Sequence, residues 1–364
     1  MGHKEGERPM QLAALRSIYE AEPPFATVYL QASDPSAEAE HELSLRWQAL
    51  RDELADAGAH DQTLAALDTA VTSDPVAVHT EGRVLVANRS GLLLNEACDA
   101  TGSAGDRAVF GEPAQLGDYI RERARSVHAL VVLVDQERAT LQRRVFTSSE
   151  TLETGPETRV EGSATETVNK PREGGEHHRR MQQRADEAAA LNIRDITEEV
   201  RKAADRWRPD VVVVAGEVQG RKRLLGELPT DLAQRAHELE AGGGIPNDSA
   251  DDGAIAAVEE ELSSLGRRLT IERAKEVTER FGDAKANGRA VEGAEDIRRA
   301  AQLGAVETLL LRYTARAEDE DELLRAAAEV DASVALVGAD VADHAAAILR
   351  YEAPVDQMET QAAA

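Results

Sequence analysis

Lys170-Pro-Arg-Glu-Gly-Gly-Glu-His-His-Arg-Arg-Met-Gln-Gln-Arg-Ala-Asp-Glu187 is the stretch on which the reading of this chain turns. Gly174 and Gly175 carry no side chain, so the backbone can bend sharply or approach a partner closely there. His177, His178, Arg179, Arg180 and Arg184 follow directly, and Lys170 and Arg172 lie just before. Arg180 and Arg184 stand one helical turn apart and share a face. From Met181 onward Ala185, Ala188, Ile193, Ile196, Val200, Ala203 and Trp207 keep a mostly helical period. A glycine loop is therefore predicted to open one long amphipathic helix, with an irregularity expected at Asn192 and an end at Pro209-Asp210.

Positive charge beside free helix N-terminal amides suits contact with phosphate. The same residues also read as a surface loop followed by a solvated helix face, and the sequence pattern leaves both readings open. His177 and His178 lack the three or four spaced partners that a metal needs, so no metal is expected. Arg221, Lys222 and Arg223 form a second basic patch, read either as a solvated helix start or as an RNA or protein contact. The preceding Gly216-Glu-Val-Gln-Gly220 follows a strand but lacks the Gly-Lys-Ser/Thr ending of a phosphate loop, and no cofactor is expected.

Upstream of the loop, His128 to Asp135 is continuous and rich in β-branched residues, as in a strand buried on both faces. Ala139 to Phe146 should return antiparallel, with short strands near Thr158 to Glu161 and Glu166 to Val168. Downstream, Val211 to Ala215 reads as another buried strand. Helices are expected over Arg221 to Leu228 and Thr230 to Glu240. After the breaker-rich Ala241 to Gly253, helices are expected over Ala254 to Leu265, Leu269 to Phe281 and Val291 to Leu303, with Gly304 as a C-cap. Ala305 to Arg312 and Ser333 to Val337 should be strands, Glu318 to Val330 a helix, and Ala345 to Tyr351 a final strand or helix. Nearer the N-terminus, Phe25 to Leu30, Val76 to His79, Arg83 to Asn88 and Gly91 to Asn95 read as strands. Ala37 to Ala57, Asp61 to Val71 and Gln115 to Arg123 read as helices. Alternating strands and helices argue for an α/β fold, with an α+β first domain.

The chain has 364 residues, which suits two or three domains. The expected boundaries are 1–125, 126–275 and 276–364. No apolar run is long enough to span a membrane, and the N-terminus lacks a signal-peptide pattern, so a cytoplasmic location without membrane contact is expected. Cys98 is the single cysteine and cannot form an internal disulfide. It has no basic neighbour in sequence to activate it. The net charge of -26 opposes non-specific nucleic-acid binding, which makes the local basic segment stand out.

Val131 to Glu187 resembles the central domain of archaeal and eukaryotic class-1 peptide release factors, in which a strand pair leads to a Gly-Gly-Gln loop and then a long arginine-bearing helix. Here the matching run is Gly174-Gly175-Glu176, then Arg179, Arg180 and Arg184, with Glu187 ending the motif. Asp210-Val-Val-Val-Val-Ala-Gly-Glu217 resembles the next core strand and turn. Gly288 to Asp296, Ala300 and Gly304 to Leu310 resemble the third domain of that family, an α/β sandwich similar to kink-turn-binding ribosomal proteins. The first domain shows no Asn-Ile-Lys-Ser motif, and Asn192-Ile-Arg-Asp195 lies in the wrong domain for it. The chain is more similar to the bacterial branch of the superfamily, which includes mycobacterial members and the ribosome hibernation factor Balon.

That resemblance implies a three-domain, monomeric, ribosome-binding translation factor that occupies the A site of idle or stalled ribosomes, with its loop near the peptidyl-transferase centre. It implies ribosomal RNA, tRNA and elongation factor Tu as partners. Lys170, Arg172, Gly174, Gly175, Glu176, His177, His178, Arg179, Arg180 and Arg184 become the expected ribosome-contacting residues. Glu176 replaces the family's glutamine, removing an amide donor and adding negative charge. Ribosome occupation is therefore expected over hydrolysis, with Glu176 as the catalytic residue if there is one. The alternatives are a peptidyl-tRNA hydrolase or rescue enzyme, and a stress-linked scaffold that does not bind ribosomes.

Overall fold

The computed structural model describes residues 9–31, 38–73, 82–98, 105–147, 151–153, 157–164, 175–242 and 252–352, without the side chains of residues 152, 175–182 and 185. The strands expected over Val76 to His79 and Glu166 to Val168 lie outside the described residues. The chain divides into two compact units, one holding Ser126–Ile271 and the other joining Arg8–Arg125 to Glu272–Ala364.

The N-terminal part of the second unit opens with β1 (Met10–Gln11) and the short α1 (Arg16–Tyr19), and continues with β2 (Phe25–Leu30), α2 (Ala39–Asp56), α3 (Asp61–Ser73), β3 (Arg83–Asn88), β4 (Gly91–Ala97), β5 (Arg107–Gly111) and α4 (Gly117–Arg125). Strands β4, β3, β2 and β5 form an antiparallel sheet in that order. Strand β2 is buried throughout because both faces are covered. Ala26, Val28 and Leu30 pack on Leu43, Trp47, Leu50, Leu64 and Leu67 of the two helices. Phe25 and Tyr29, offset by one residue, enter a different core. The period of two thus divides one strand between two layers. Helices α2 and α3 are joined through Asp68, which accepts from Trp47 Nε1 and Arg51 Nε, both at 3.0 Å.

The first unit is built on β6 (Val127–Val134), β7 (Arg138–Phe146), β8 (Thr151–Glu153), β9 (Thr158–Glu161), α5 (Gly175–Trp207), β10 (Val211–Gly216), α6 (Val218–Glu227), α7 (Thr230–Gln234) and β11 (Ala236–Glu238). Its sheet runs β11-β10-β6-β7-β8, with β9 also on β7. Strand β10 is parallel to β6 and β11, while β7 is antiparallel to β6, β8 and β9. Leu130, Val132, Val134, Val212 and Val214 face Ile193, Ile196 and Val200 of α5 and Leu224 of α6. Val127, Val131, Leu133, Val211 and Val213 face Val258, Leu262, Leu265 and Leu269 of α8 (Asp252–Ala286). Helices on both faces explain why these strands are unbroken apolar runs.

Several expectations need correction. The helix over Thr230 to Glu240 stops at Gln234, and Ala236–Glu238 adds an edge strand to β10 instead. The two helices expected between Ala254 and Phe281 are the single α8, since Gly266 interrupts no helical φ/ψ. Its bare Cα lets the Phe146 ring close in, and an added Cβ would stand 2.7 Å from it. The irregularity at Asn192 is absent, and α5 runs unbroken through it.

The C-terminal part of the second unit contributes β12 (Ala290–Glu292), α9 (Ala294–Gln302), β13 (Val306–Arg312), α10 (Glu320–Glu329), β14 (Ser333–Val337) and β15 (Ala345–Leu349). Val291 therefore belongs to a strand, and the helix expected from it starts after Gly293, whose φ of 92° breaks the path. Gly304 caps α9 as expected, with φ 64° and its N–H donating to the Ala301 carbonyl at 2.8 Å. The sheet order is β1-β14-β13-β15-β12, so Met10 pairs with Val334 and an N-terminal strand finishes a C-terminal sheet. Arg121 of α4 reinforces this joint. It donates to both carboxylate oxygens of Glu320 at 2.6 Å and to the Arg312 and Ala315 carbonyls at 2.9 and 2.8 Å.

Candidate nucleic-acid interface

Helix α5 has 33 residues and is about 50 Å long at 1.5 Å per residue. Among its described side chains, full burial begins at Ala189 and recurs at Ile193, Ile196, Val200, Ala203 and Ala204, the stripe that docks on the sheet. Gln183, Arg184, Asp186 and Glu187 are exposed. The helix is thus held to the sheet by its later turns.

A polar clamp sits near the start of the docked stretch. Asn192 is buried, and its Oδ1 accepts from the Ala164 amide at 2.8 Å while Nδ2 donates to the Ala164 carbonyl at 3.2 Å. The same Nδ2 points at the Gln136 carbonyl at 3.4 Å, in the turn between β6 and β7. One turn on, Asp195 Oδ2 accepts from the Ser163 amide at 3.0 Å and hydroxyl at 2.6 Å. Those Ser163 donors hold the Asp195 carboxyl below the ordinary carboxylate range. Gly162 admits the clamp, because a Cβ there would lie 2.2 Å from the Asn192 amide. Residues 162–164, the last described before Gly175, are thereby fastened to α5.

Of the expected contact residues, Lys170, Arg172 and Gly174 lie outside the described residues. Gly175 is the first residue of α5, and Glu176, His177, His178, Arg179 and Arg180 occupy its first turns. Their backbone amides belong to the positive end of the helix dipole. Arg184 is exposed and has no carboxylate partner among the described residues. No group of three or more candidate metal-binding side chains occurs among the described residues.

The second basic patch is dismantled by the fold. Arg221 is buried, pairs with Glu238 at 3.1 Å and donates to the Glu240 carbonyl at 2.8 Å, so it closes the sheet edge. Arg223 reaches α5 and bonds Asp186 at 2.8 Å. Only Lys222 of the three stays exposed with no carboxylate partner among the described residues. Gly220 packs its Cα on the end of β6, where a Cβ would stand 2.6 Å from the Asp135 carbonyl oxygen. Cys98 is buried and its thiol donates to Glu122 at 2.9 Å.

The clamp residues were not legible as site residues in the sequence. Their signal was a polar residue, Asn192, on the otherwise apolar stripe of a long helix, a position that demands buried partners.

Comparison with known proteins supplies the frame. Residues 128–287 match the family described as bacterial archaeo-eukaryotic release factor family 2. Two curated Mycobacterium tuberculosis proteins, both described as uncharacterized (Rv2629 and MT2704), are each 28% identical over 323 residues, covering 83% of this chain and 78% of theirs. Solved structures with a likeness include the archaeal translation termination factor aRF1 (17% identity, 93% of this chain and 97% of that one, TM-score 0.27). Another is Saccharomyces cerevisiae Dom34, a translation termination-like factor (12% identity, 63% and 64%, TM-score 0.39).

Proposed function

We propose that this chain, whose residues 128–287 match bacterial archaeo-eukaryotic release factor family 2, is a ribosome-binding translation factor. It occupies the A site of idle or stalled ribosomes and does not cleave peptidyl-tRNA. The observation that carries this reading is the start of α5. In a chain of net charge -26, the matched domain opens its long helix on Gly175-Glu176 and holds Arg184 in solvent without a carboxylate partner among the described residues. Amides and arginines at a helix start suit ribosomal RNA phosphates.

Glu176 supports occupation over hydrolysis. Its carboxylate offers acceptors only, whereas a glutamine amide also donates. Beside RNA phosphates the added charge is repelled. The basic cluster and loop, from Lys170 to Arg184, would face the peptidyl-transferase region, with elongation factor Tu as the delivery partner.

Co-sedimentation with vacant ribosomes, with and without elongation factor Tu, tests the proposal. Binding should be firm at low salt and fall linearly in log–log form as salt rises. Absence of binding at low salt under both conditions would overturn it. Ester cleavage on ribosomes carrying peptidyl-tRNA, lost in Glu176→Ala, would overturn the non-catalytic part. Unchanged binding after Arg179, Arg180 and Arg184 are all made glutamate would move the contact to another surface.

A further inference from the structure

We infer that Arg223 of α6 is a positioning residue for the basic start of α5: it sets the direction in which that start leaves the sheet and is not itself an RNA contact. The inference rests on the ribosome-binding reading and names a residue outside the basic segment on which that segment depends.

The spacing of residues along α5 prepares the tie. Ala189 and Ile193 belong to the buried stripe, and Asp186, three residues before Ala189, holds the next stripe position toward the N-terminus. An apolar side chain there would continue the docking. The chain places a carboxylate instead, and Arg223 meets it from α6, donating to Asp186 Oδ1 at 2.8 Å. A second guanidinium nitrogen of Arg223 points at the Asp186 carbonyl at 3.4 Å. Among the described side chains of α5, none nearer the N-terminus than Ala189 is buried. Past that point the ion pair takes over from apolar packing.

The other end of the tie is well anchored. Leu224, the residue after Arg223, is fully buried in the core that α5 and α6 share with the sheet. Arg221 is fixed to Glu238, and Gly220 lies against Asp135. The pair also decides where Arg184 points. At about 100° per residue, Arg184 stands about 160° round the helix from Asp186. Holding Asp186 against α6 therefore turns Arg184 outward, where it is exposed. Arg223 is only 29% exposed, against 62% for Asp186, and two of its nitrogens are directed at α5. Within the Arg221-Lys222-Arg223 run it is thus committed to the helix and not to solvent.

The test is a charge-swap cycle in the full chain: Arg223→Glu, Asp186→Arg, and both together. Two quantities are read, the affinity for vacant ribosomes at fixed salt and the amide hydrogen exchange of residues 183–188 in the free protein. Each single change sets like charges face to face, and the double change restores an opposite pair at the original net charge. A partly exposed pair shifts an equilibrium by up to about fivefold. Exchange in Arg223→Glu should quicken by about that factor, and the double change should return it toward wild type. On ribosomes the double variant should bind about fivefold more tightly than the two single changes combined predict.

Strictly additive affinity changes, while the unaltered chain binds, would overturn the inference, because a direct phosphate contact at Arg223 gives that result. Coupling in urea stability without coupling in affinity would reduce the pair to a structural one and overturn it too. So would wild-type exchange rates in Arg223→Glu. If the unaltered chain binds no ribosomes but the exchange coupling holds, the A-site reading falls and Arg223 remains the residue that orients the start of α5.

Discussion

Asn192 and Ala164 are joined twice, the Ala164 N–H donating to Oδ1 at 2.8 Å and the Asn192 Nδ2 donating back to the Ala164 carbonyl at 3.2 Å. The pair behaves like a rung of backbone pairing supplied by a side chain. It fastens Ala164, which follows β9, to a fixed point on α5. Leucine at position 192 would remove both bonds to the half-buried Ala164 amide and carbonyl, so at about 0.5–1.5 kcal/mol each Asn192→Leu should cost about 1–3 kcal/mol of unfolding free energy, measured by urea denaturation. A cost near zero would mean that water replaces the amide.

Gly162 and Asn192 should be energetically coupled. A Cβ at 162 would meet the Asn192 amide at 2.2 Å, so Gly162→Ala alone should destabilise by about 1–3 kcal/mol. Combined with Asn192→Gly, which removes the Asn192 Cβ at 2.4 Å as well as the amide, the two costs should not add. A double-mutant cycle giving strict additivity would refute a shared clamp.

The Arg121–Glu320 pair makes a stronger stability prediction. Both side chains are buried and meet in a bidentate fork at 2.6 Å. Arg121→Met strands the Glu320 carboxylate and should cost about 3–5 kcal/mol. Adding Glu320→Leu should recover part of that loss. It cannot recover all of it, because Arg121 also satisfies the Arg312 and Ala315 carbonyls.

Asp321 governs a pH dependence. Burial raises its pKa above the ordinary carboxylate value, outweighing the Gly117 amide that donates to it at 2.8 Å. A folded-state pKa above the unfolded one gives stability that is fully present below the unfolded pKa and lost as pH rises through the folded one. Asp321→Asn keeps an oxygen acceptor for Gly117 and removes that titration. The variant should therefore gain relative to wild type as pH rises from the ordinary aspartate pKa of about 3.9 through the raised folded-state value. Parallel stability–pH curves for the two proteins would refute the assignment.

Glu176→Gln tests how much of a release-factor site persists. Restoring the amide donor should raise peptidyl-tRNA cleavage on ribosomes by about a hundredfold over the wild-type background, the scale of one well-placed hydrogen-bond donor. Ribosome affinity should rise as well, since a negative charge leaves the RNA contact. Wild-type background cleavage in the variant would show that the rest of the loop has also departed from the hydrolytic arrangement.

Most of the framework was legible because it follows local rules. Val127–Val134 and Val211–Gly216 are β-branched runs covered on both faces, and the 3.6-residue stripe from Ile193 to Trp207 marks α5 without ambiguity. Short strands escaped notice. Met10–Gln11 and Ala236–Glu238 are strands only because β14 and β10 offer them an edge, and two or three residues carry no period. The basic segment was equally plain in the sequence, whereas the fate of Arg221 was not. Its neighbours Lys222 and Arg223 gave no hint that it alone turns inward to Glu238.

The sequence by itself determined the layered α/β units, the helix that begins at Gly175, and the charge and identity of the residues at its start. Those properties depend on the order of side chains along one element. Tertiary structure alone decided which arginines are free. Arg201 is bound to carboxylates on its own helix, Arg223 to Asp186 of another, and Arg121 to Glu320 across 199 residues of chain, while Arg184 and Arg194 keep no carboxylate among the described residues. A guanidinium is the same group in each case, and its availability depends on which acceptors the fold brings within about 3 Å, a distance that sequence separation does not encode.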